Sequence, residues 1–504
     1  MAFHRPHRKG FYYPAPEHAL LVKKFDDLKR WGRSRKNITP EIKVKEMMRE
    51  TKIIDGILKR ADVQKDSSNS SLSPGKDLRK SKGKKPREKT KRKPGGQKGH
   101  PGATIALEPN PDVITTLQPE ELEKHLNNPD LIQLEPEIRQ EKELVASQLV
   151  TNYEAFRFQN RESGEIISAK FPDHIKGFCQ FGLFLQACLV LIRIKHFEPF
   201  GRGVELIEDI GGPTVGKSTF ISIFKRAAQS AVLAAYKEAC KISLLLCLVL
   251  YADETGANVD GKNNWIFFVG GGNWVRFFAQ KGRGMADINE CGILPNYTGT
   301  IAHDCFKAYF NYGEDHQICL AHLLRELKAD IERGSVWASK MSALLKKTID
   351  MVDSFGGVLP EDESKKLRKE YEKILREGDK ETESLLRQDE WVQKEVKPGR
   401  IARPKTVNLL ERFKIYENYV LNFTLYDYVE PTNNFSERLL RPIKLHANNS
   451  RCFRSFRMAE EYCDLKGYII TCGLHGIKPI DAITMLLENK TPPFILECLD
   501  KHRA

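Results

Sequence analysis

Eleven consecutive residues, Ile242 to Ala252, are almost entirely apolar, and the run stops on Asp253-Glu254-Thr255. The run is well short of the roughly 20 residues a membrane helix needs. With its β-branched and aromatic members it reads as a central strand buried on both faces, opening into a turn at Asp253. Two further strand candidates follow, Trp265 to Val269 and Trp274 to Phe278, joined through Gly270-Gly271-Gly272. A short helix over Ala286 to Leu294 comes next, then a strand from Tyr297 to His303 that ends on Asp304.

Two aspartates therefore close two buried strands in the order strand, strand, strand, helix, strand. If the strands that carry them are neighbours, the carboxylates converge. Hard cations such as Mg²⁺ take oxygen ligands, and a pair of ions about 4 Å apart can serve both the attacking and the leaving oxygen. A third carboxylate is expected from a later helix, and Glu437 is the candidate. Thr432 or Asn433 can cap a helix that places Glu437 in its first turns, with Arg438 and Arg441 on the same helix in reach of phosphates.

Around this segment the chain changes character several times. Residues 1–65 form a tail and a short coiled-coil-like helix, with Val44, Met47, Thr51, Ile54 and Leu58 stepping by three and four. Residues 66–105 hold a Ser-rich stretch and a dense basic run that includes Lys84, Lys85, Arg87, Lys91, Arg92, Lys93 and Lys98. Such a segment cannot bury a core; it reads either as a disordered arm following DNA phosphates or as a solvated linker. Residues 106–175 make a small mixed module, and 176–240 are helical with a possible helix-turn-helix. Residues 241–330 carry the first part of the catalytic core, 331–428 a helical insertion, and 429–504 the helix of the last acid and a helical C-terminal region.

A formal charge of +14 favours a polyanionic partner. The 11 cysteines contain no Cys-x-x-Cys pair, which speaks against a disulfide framework or a zinc ribbon and for reduced thiols in the cytoplasm. No secretory signal is visible after the basic start.

Several motifs occur in a fixed order: Lys93-Pro-Gly-Gly-Gln-Lys-Gly-His-Pro-Gly102, Asp253-Glu-Thr, Asp304 followed by Tyr309, Cys319-Leu-Ala-His-Leu-Leu-Arg325, Asn433-Asn-Phe-Ser-Glu-Arg-Leu-Leu-Arg-Pro442, and Phe453-Arg-Ser-Phe through Thr471-Cys-Gly-Leu-His-Gly. In these the chain resembles the insertion-sequence 66 family of bacterial and archaeal transposases over most of its length. The resemblance implies an α/β ribonuclease-H-like catalytic core with a helical insertion, preceded by a mostly helical DNA-binding region and the basic arm. It implies cut-and-join DNA transposition with Mg²⁺ (or Mn²⁺) held by Asp253, Asp304 and Glu437. It also implies DNA partners at the element ends and the target, a homodimer or larger synapse, and no membrane. Arg283 matches a recurrent basic position and joins the candidate DNA contacts. Two departures stand out: residues 106–175 lack the cysteine pairs of the family's small zinc module, and His446-Ala-Asn-Asn-Ser-Arg451 replaces a Gly-Arg-Lys-like segment.

Two other motifs compete. Gly211-Gly-Pro-Thr-Val-Gly-Lys-Ser218 fits the phosphate-loop pattern of an ATPase. The segment before it is rich in acids and makes a poor buried strand, so a turn between helices, with Thr214 or Ser218 as cap, is the preferred reading. His316, Cys319 and His322 have metal-like spacing but lack a fourth ligand. Cys319 is then a core residue, with His322 and Arg325 as support beside the acids. A transposase-derived DNA-binding protein without catalysis stays open.

Overall fold

The computed structural model describes residues 107–118, 137–142, 147–161, 163–396 and 404–503. The coiled-coil-like seam and the basic arm with Lys84, Lys85, Arg87, Lys91, Arg92, Lys93 and Lys98 lie outside the described residues. The chain divides into two compact units. The smaller takes Arg79–Ala169 with Ile207–Pro213, and its described part holds an antiparallel hairpin of β1 (Arg157–Gln159) and β2 (Ile166–Ser168).

The larger unit is a mixed α/β structure around one five-stranded sheet. Four helices precede it: α1 (Leu183–Lys195), α2 (Phe200–Asp209), α3 (Lys217–Ala228) and α4 (Ala231–Leu245). The strands are β3 (Val249–Val259), β4 (Lys262–Gly271), β5 (Trp274–Gln280), β6 (Thr300–His303) and β7 (Asp315–Ile318), in the order β5-β4-β3-β6-β7. The first three are antiparallel neighbours, whereas β6 and β7 run parallel to β3. Short helix α5 (Met285–Asn289) lies on the crossover from β5 to β6.

The apolar run that reads as one strand is split in two. Its first part is the last turn of α4, where Leu244 is fully buried, and the strand starts only at Val249. A short apolar run carries no period that separates buried helix from buried strand. The strand also does not open into a turn at Asp253. It continues to Val259, paired with β4, and reverses at Asp260-Gly261, both with positive φ. Asp-Gly is the pair that such two-residue hairpin turns favour.

A second core is helical. Helices α6 (Leu320–Glu332), α7 (Val336–Ser354), α8 (Glu361–Val396), α9 (Lys405–Ile415) and α10 (Glu417–Leu421) follow β7. They gather Leu323, Leu327, Trp337, Met341, Tyr371 and Phe413 into one buried cluster. The chain then returns to the sheet as α11 (Asn434–Ser450) and α12 (Phe456–Leu474), and ends in α13 (Pro479–Glu488) and α14 (Pro493–Arg503).

Helix α11 lies along β3 and is tied to it at both ends. Asn433 Nδ2 donates to the Ala252 carbonyl at 2.9 Å, one residue before Asp253. Beyond the other end, Phe453 and the end of β3 exchange backbone hydrogen bonds of 2.9 Å with Asn258 and Asp260. Phe435 packs its ring on Tyr251 and Phe268. Gly270 permits this closeness, since a Cβ there would sit 2.5 Å from Phe268 and 2.9 Å from Phe435.

The segment Gly211 to Ser218 follows helix α2 and enters helix α3 at Gly216, the N-cap residue. A phosphate loop needs a strand before it, so the fold offers no such frame. The expected side-chain cap from Thr214 or Ser218 is absent because the cap position falls on Gly216.

Candidate active site

Parallel pairing of β3 with β6 covers Val249 to Tyr251 and ends with Tyr251 opposite Ala302. Two more steps of that register bring Asp304 level with Asp253, where β6 has stopped and β3 continues. The edge of β3 is open there, so Asp304 can meet groups from either face of the strand. One oxygen each from Asp253, Glu254 and Asp304 lie within 4.8 Å of one another.

The acids are held firmly. Asp304 Oδ1 accepts from the Phe306 amide at 3.0 Å, and the His303 ring accepts from the Cys305 amide at 3.1 Å. With Nδ1 accepting, neutral His303 carries its proton on Nε2 and donates it to His316 Nδ1, 3.3 Å away. Burial pushes His303 down to about 3, so the ring is neutral. Cys305, just after Asp304, has φ of 77°, a left-handed bend that costs energy outside glycine.

Glu254 was not a sequence candidate, and it is the most engaged acid in the group. Its side chain is 2% exposed. It accepts from the Tyr309 hydroxyl at 2.6 Å and from Arg283 Nε at 2.8 Å. The Arg283 guanidinium lies between two rings, 4.6 Å from Trp265 and 4.0 Å from Phe306. Proposed from sequence as a DNA contact, Arg283 is here the counter-charge of Glu254. Strand alternation would send Glu254 away from Asp253, and only the open edge beside Asp304 brings them together.

Burial, then the neighbouring Asp304 and Glu254 carboxylates, push Asp253 well above the ordinary carboxylate range. Glu254 is raised by burial and Asp304, against the pull of Tyr309 and Arg283. Tyr309 is itself held protonated by burial and by Glu254, which keeps it a donor.

Glu437 is not among these three. Its carboxylate groups with Cys319 and His322, again within 4.8 Å. His322 Nδ1 is 3.4 Å away, Arg325 reaches both its oxygens at 3.1 and 3.2 Å, and Arg441 lies at 3.4 Å. Glu437 still raises Asp253 through charge, so the two groups are electrically one neighbourhood. Cys319 is fully buried, its sulfur accepts from the Asn433 amide at 3.1 Å, and burial pushes its thiol up to about 11. Arg438 is exposed on the first turns of the same helix, and Arg441 is 71% exposed.

The model of the Transposase IS66 family matches residues 179–461, more than half of the chain. The chain belongs to the IS66 transposase family. The matched span opens just before α1 and runs into α12, so it contains the whole sheet and all four acids. Among curated proteins none matches this chain. For a transposase of this family DNA is the implied partner, and no helix among the described residues is long and apolar enough to cross a membrane.

Proposed function

We propose that this IS66-family chain is a DDE-type DNA transposase with a ribonuclease-H-like core, in which Asp253, Asp304 and Glu437 are the catalytic acids. The observation that carries the reading is the meeting of Asp253 and Asp304 at the open edge of β3, with the Glu437 helix fixed to the same strand by Asn433. A sheet of three antiparallel strands followed by two parallel ones, with an acid on its first strand and another just past its fourth, supports the ribonuclease-H-like assignment.

The donor set fits a hard divalent cation. Burial first, and then the crowding of three carboxylates within 4.8 Å, raises the proton affinity of Asp253 and Glu254, and a cation would offset both costs. Asp253 and Asp304 would hold Mg²⁺ or Mn²⁺ together, with Glu437 closing the site from its helix. When bound, the metal ions supply positive charge for the attacking and leaving oxygens of a phosphodiester. The protein's own part is to fix the acids. The Phe306 amide orients Asp304, Tyr309 and Arg283 hold Glu254, and Arg325 and His322 steer Glu437.

In the proposed reaction water attacks a phosphodiester at each element end, breaking a P–O bond and leaving a 3′-OH. That 3′-OH then attacks target DNA, forming one P–O bond as another breaks. Arg438, Arg441 and the basic arm would carry the DNA backbone, and cutting two ends together calls for a dimer or larger synapse. The test is Mg²⁺-dependent cleavage of DNA bearing the element's ends. Asp304→Ala should abolish cleavage by a factor on the order of 10³ or more, the scale seen when one member of a concerted catalytic set is lost. Cleavage that survives in Asp304→Ala contradicts the proposal, and a wild type without cleavage that still binds DNA would mark a non-catalytic derivative.

A further inference from the structure

Behind the far end of α11 lies a second buried group of charges, opposite in sign. Arg193 and Lys466 are each 4% exposed, and His446 between them is fully buried. Arg193 donates to the Glu198 carbonyl at 3.1 Å, to Ser450 Oγ at 2.9 Å and towards His446 Nε2 at 3.2 Å. Lys466 Nζ sits 5.4 Å from the Phe197 ring and 5.9 Å from Tyr462. Among the described residues no carboxylate pairs with either cation. The nearby acids are committed elsewhere: Glu198 to Arg202, Glu461 to Arg457, and Asp464 to Arg276 and Lys237.

The hydrogen-bond roles are set by chemistry. A guanidinium only donates, so His446 Nε2 must accept from Arg193, and the neutral ring carries its proton on Nδ1. That Nδ1, together with Arg193 Nε and the Tyr462 hydroxyl, is buried and has no partner among the described residues. The His446 ring lies 4.5 Å from that of Tyr462, so the orphan donors belong to one cluster. Water would satisfy the donors but not the charge. Burial lowers Arg193 to about 10, Lys466 to about 8 and His446 to about 3, which leaves two cations and a neutral imidazole at neutral pH. Two residues bordering the cluster, Phe197 and Arg451, have φ of 62° and 63°. Non-glycine residues hold such conformations only where their surroundings impose them, often at binding sites.

We propose that Arg193, His446, Tyr462 and Lys466 form a binding site for a phosphate-class oxyanion, separate from the acid cluster. Its ligand is a DNA backbone phosphate or a free phosphate group; the first source rests on the transposase reading, the second does not.

The test titrates the full-length protein with inorganic phosphate, following thermal melting against sodium chloride at equal ionic strength. Wild type should show a saturable rise that chloride does not reproduce. Lys466→Met, which removes an unpaired buried charge, should melt no lower than wild type and lose the phosphate response. Tyr462→Phe, a milder change, should weaken phosphate binding by about 2- to 10-fold. A wild type without a phosphate-specific rise, or variants that keep the full response, would overturn the site. Binding of duplex DNA across a salt series separates the sources. A slope of log affinity against log salt reduced by about one in Lys466→Met identifies a DNA phosphate. An unchanged slope with the phosphate response lost identifies a free phosphate. Asp304→Ala should retain the phosphate response, so failure of the cleavage reading and failure of this one are told apart.

Discussion

Helix α11 connects two buried groups of like charge that are stabilised in different ways. Near its start, Asp253, Glu254 and Asp304 crowd together and Glu437 stands close by. Nine residues further, or about 13 Å along the axis at 1.5 Å per residue, His446 joins Arg193 and Lys466. The acids have protein counter-charges: Arg283 for Glu254, Arg325 for Glu437. Among the described residues the cations have aromatic rings, one carbonyl and a serine but no carboxylate. Burying like charges is costly, and a fold keeps such groups where a ligand of opposite sign completes them. The acid end calls for a cation, the basic end for an anion, and both lie within one tethered helix.

The largest expected effect separates the two ends by pH. Asp253 is raised in the fold, so without divalent cations the folded state binds its proton more tightly than the unfolded chain. Asp253 itself should therefore add stability as pH falls from neutral towards the ordinary carboxylate range near 4. The contribution is read as the difference between wild type and Asp253→Asn, because the buried neutral His303 and His446 lower stability over the same range in both proteins. Lys466 is lowered to about 8, so the folded state releases its proton first. Between pH 8 and 10 wild type should gain stability relative to Lys466→Met, by up to on the order of 3 kcal/mol at full titration. The buried thiols held protonated in the fold, Cys319 among them, act alike on both proteins. Urea melts across pH in phosphate-free buffer check both arms; equal pH profiles for wild type and both variants would remove the comparison's basis.

A smaller effect tests the support of the acid end. Tyr309→Phe removes the 2.6 Å hydrogen bond to Glu254 without changing ring packing. Cleavage or metal affinity should fall by up to about 10-fold, at the low end of the loss for an outer partner of a metal site, because Glu254 borders Asp253 and Asp304. Melting temperature should barely move, and a loss of stability in proportion to activity would make Tyr309 a packing residue instead. The smallest effect concerns the tether. Asn433→Ala leaves the Ala252 carbonyl without its 2.9 Å donor, at a cost of about 1 kcal/mol in urea unfolding. Cleavage should fall further than this stability loss explains if the bond sets the distance of Glu437 from Asp253.

Much of the acid end was legible in the sequence. Asp253 and Asp304 stand out because each follows apolar residues that must be buried, and Glu437 because a helix start surrounds it. The boundary between α4 and β3 was not legible, since Ile242 to Ala252 is apolar on both sides of the break. The hairpin at Asp260-Gly261 is signalled by its own dipeptide, whereas a turn at Asp253 ends the strand too early. Glu254 was hidden by alternation, which argues against it until β6 is seen to stop short. The basic end was out of reach altogether, because Arg193 and His446 meet across more than 250 positions of chain. Neither residue type nor spacing announces such a pairing.

The most direct test of the central claim is Mn²⁺ binding measured by titration calorimetry on wild type and Asp253→Asn. The account predicts saturable binding in wild type that Asp253→Asn loses while Lys466→Met keeps it. Mn²⁺ binding that is absent in wild type, or equal in wild type and Asp253→Asn, would contradict a divalent-cation site at the open edge of β3.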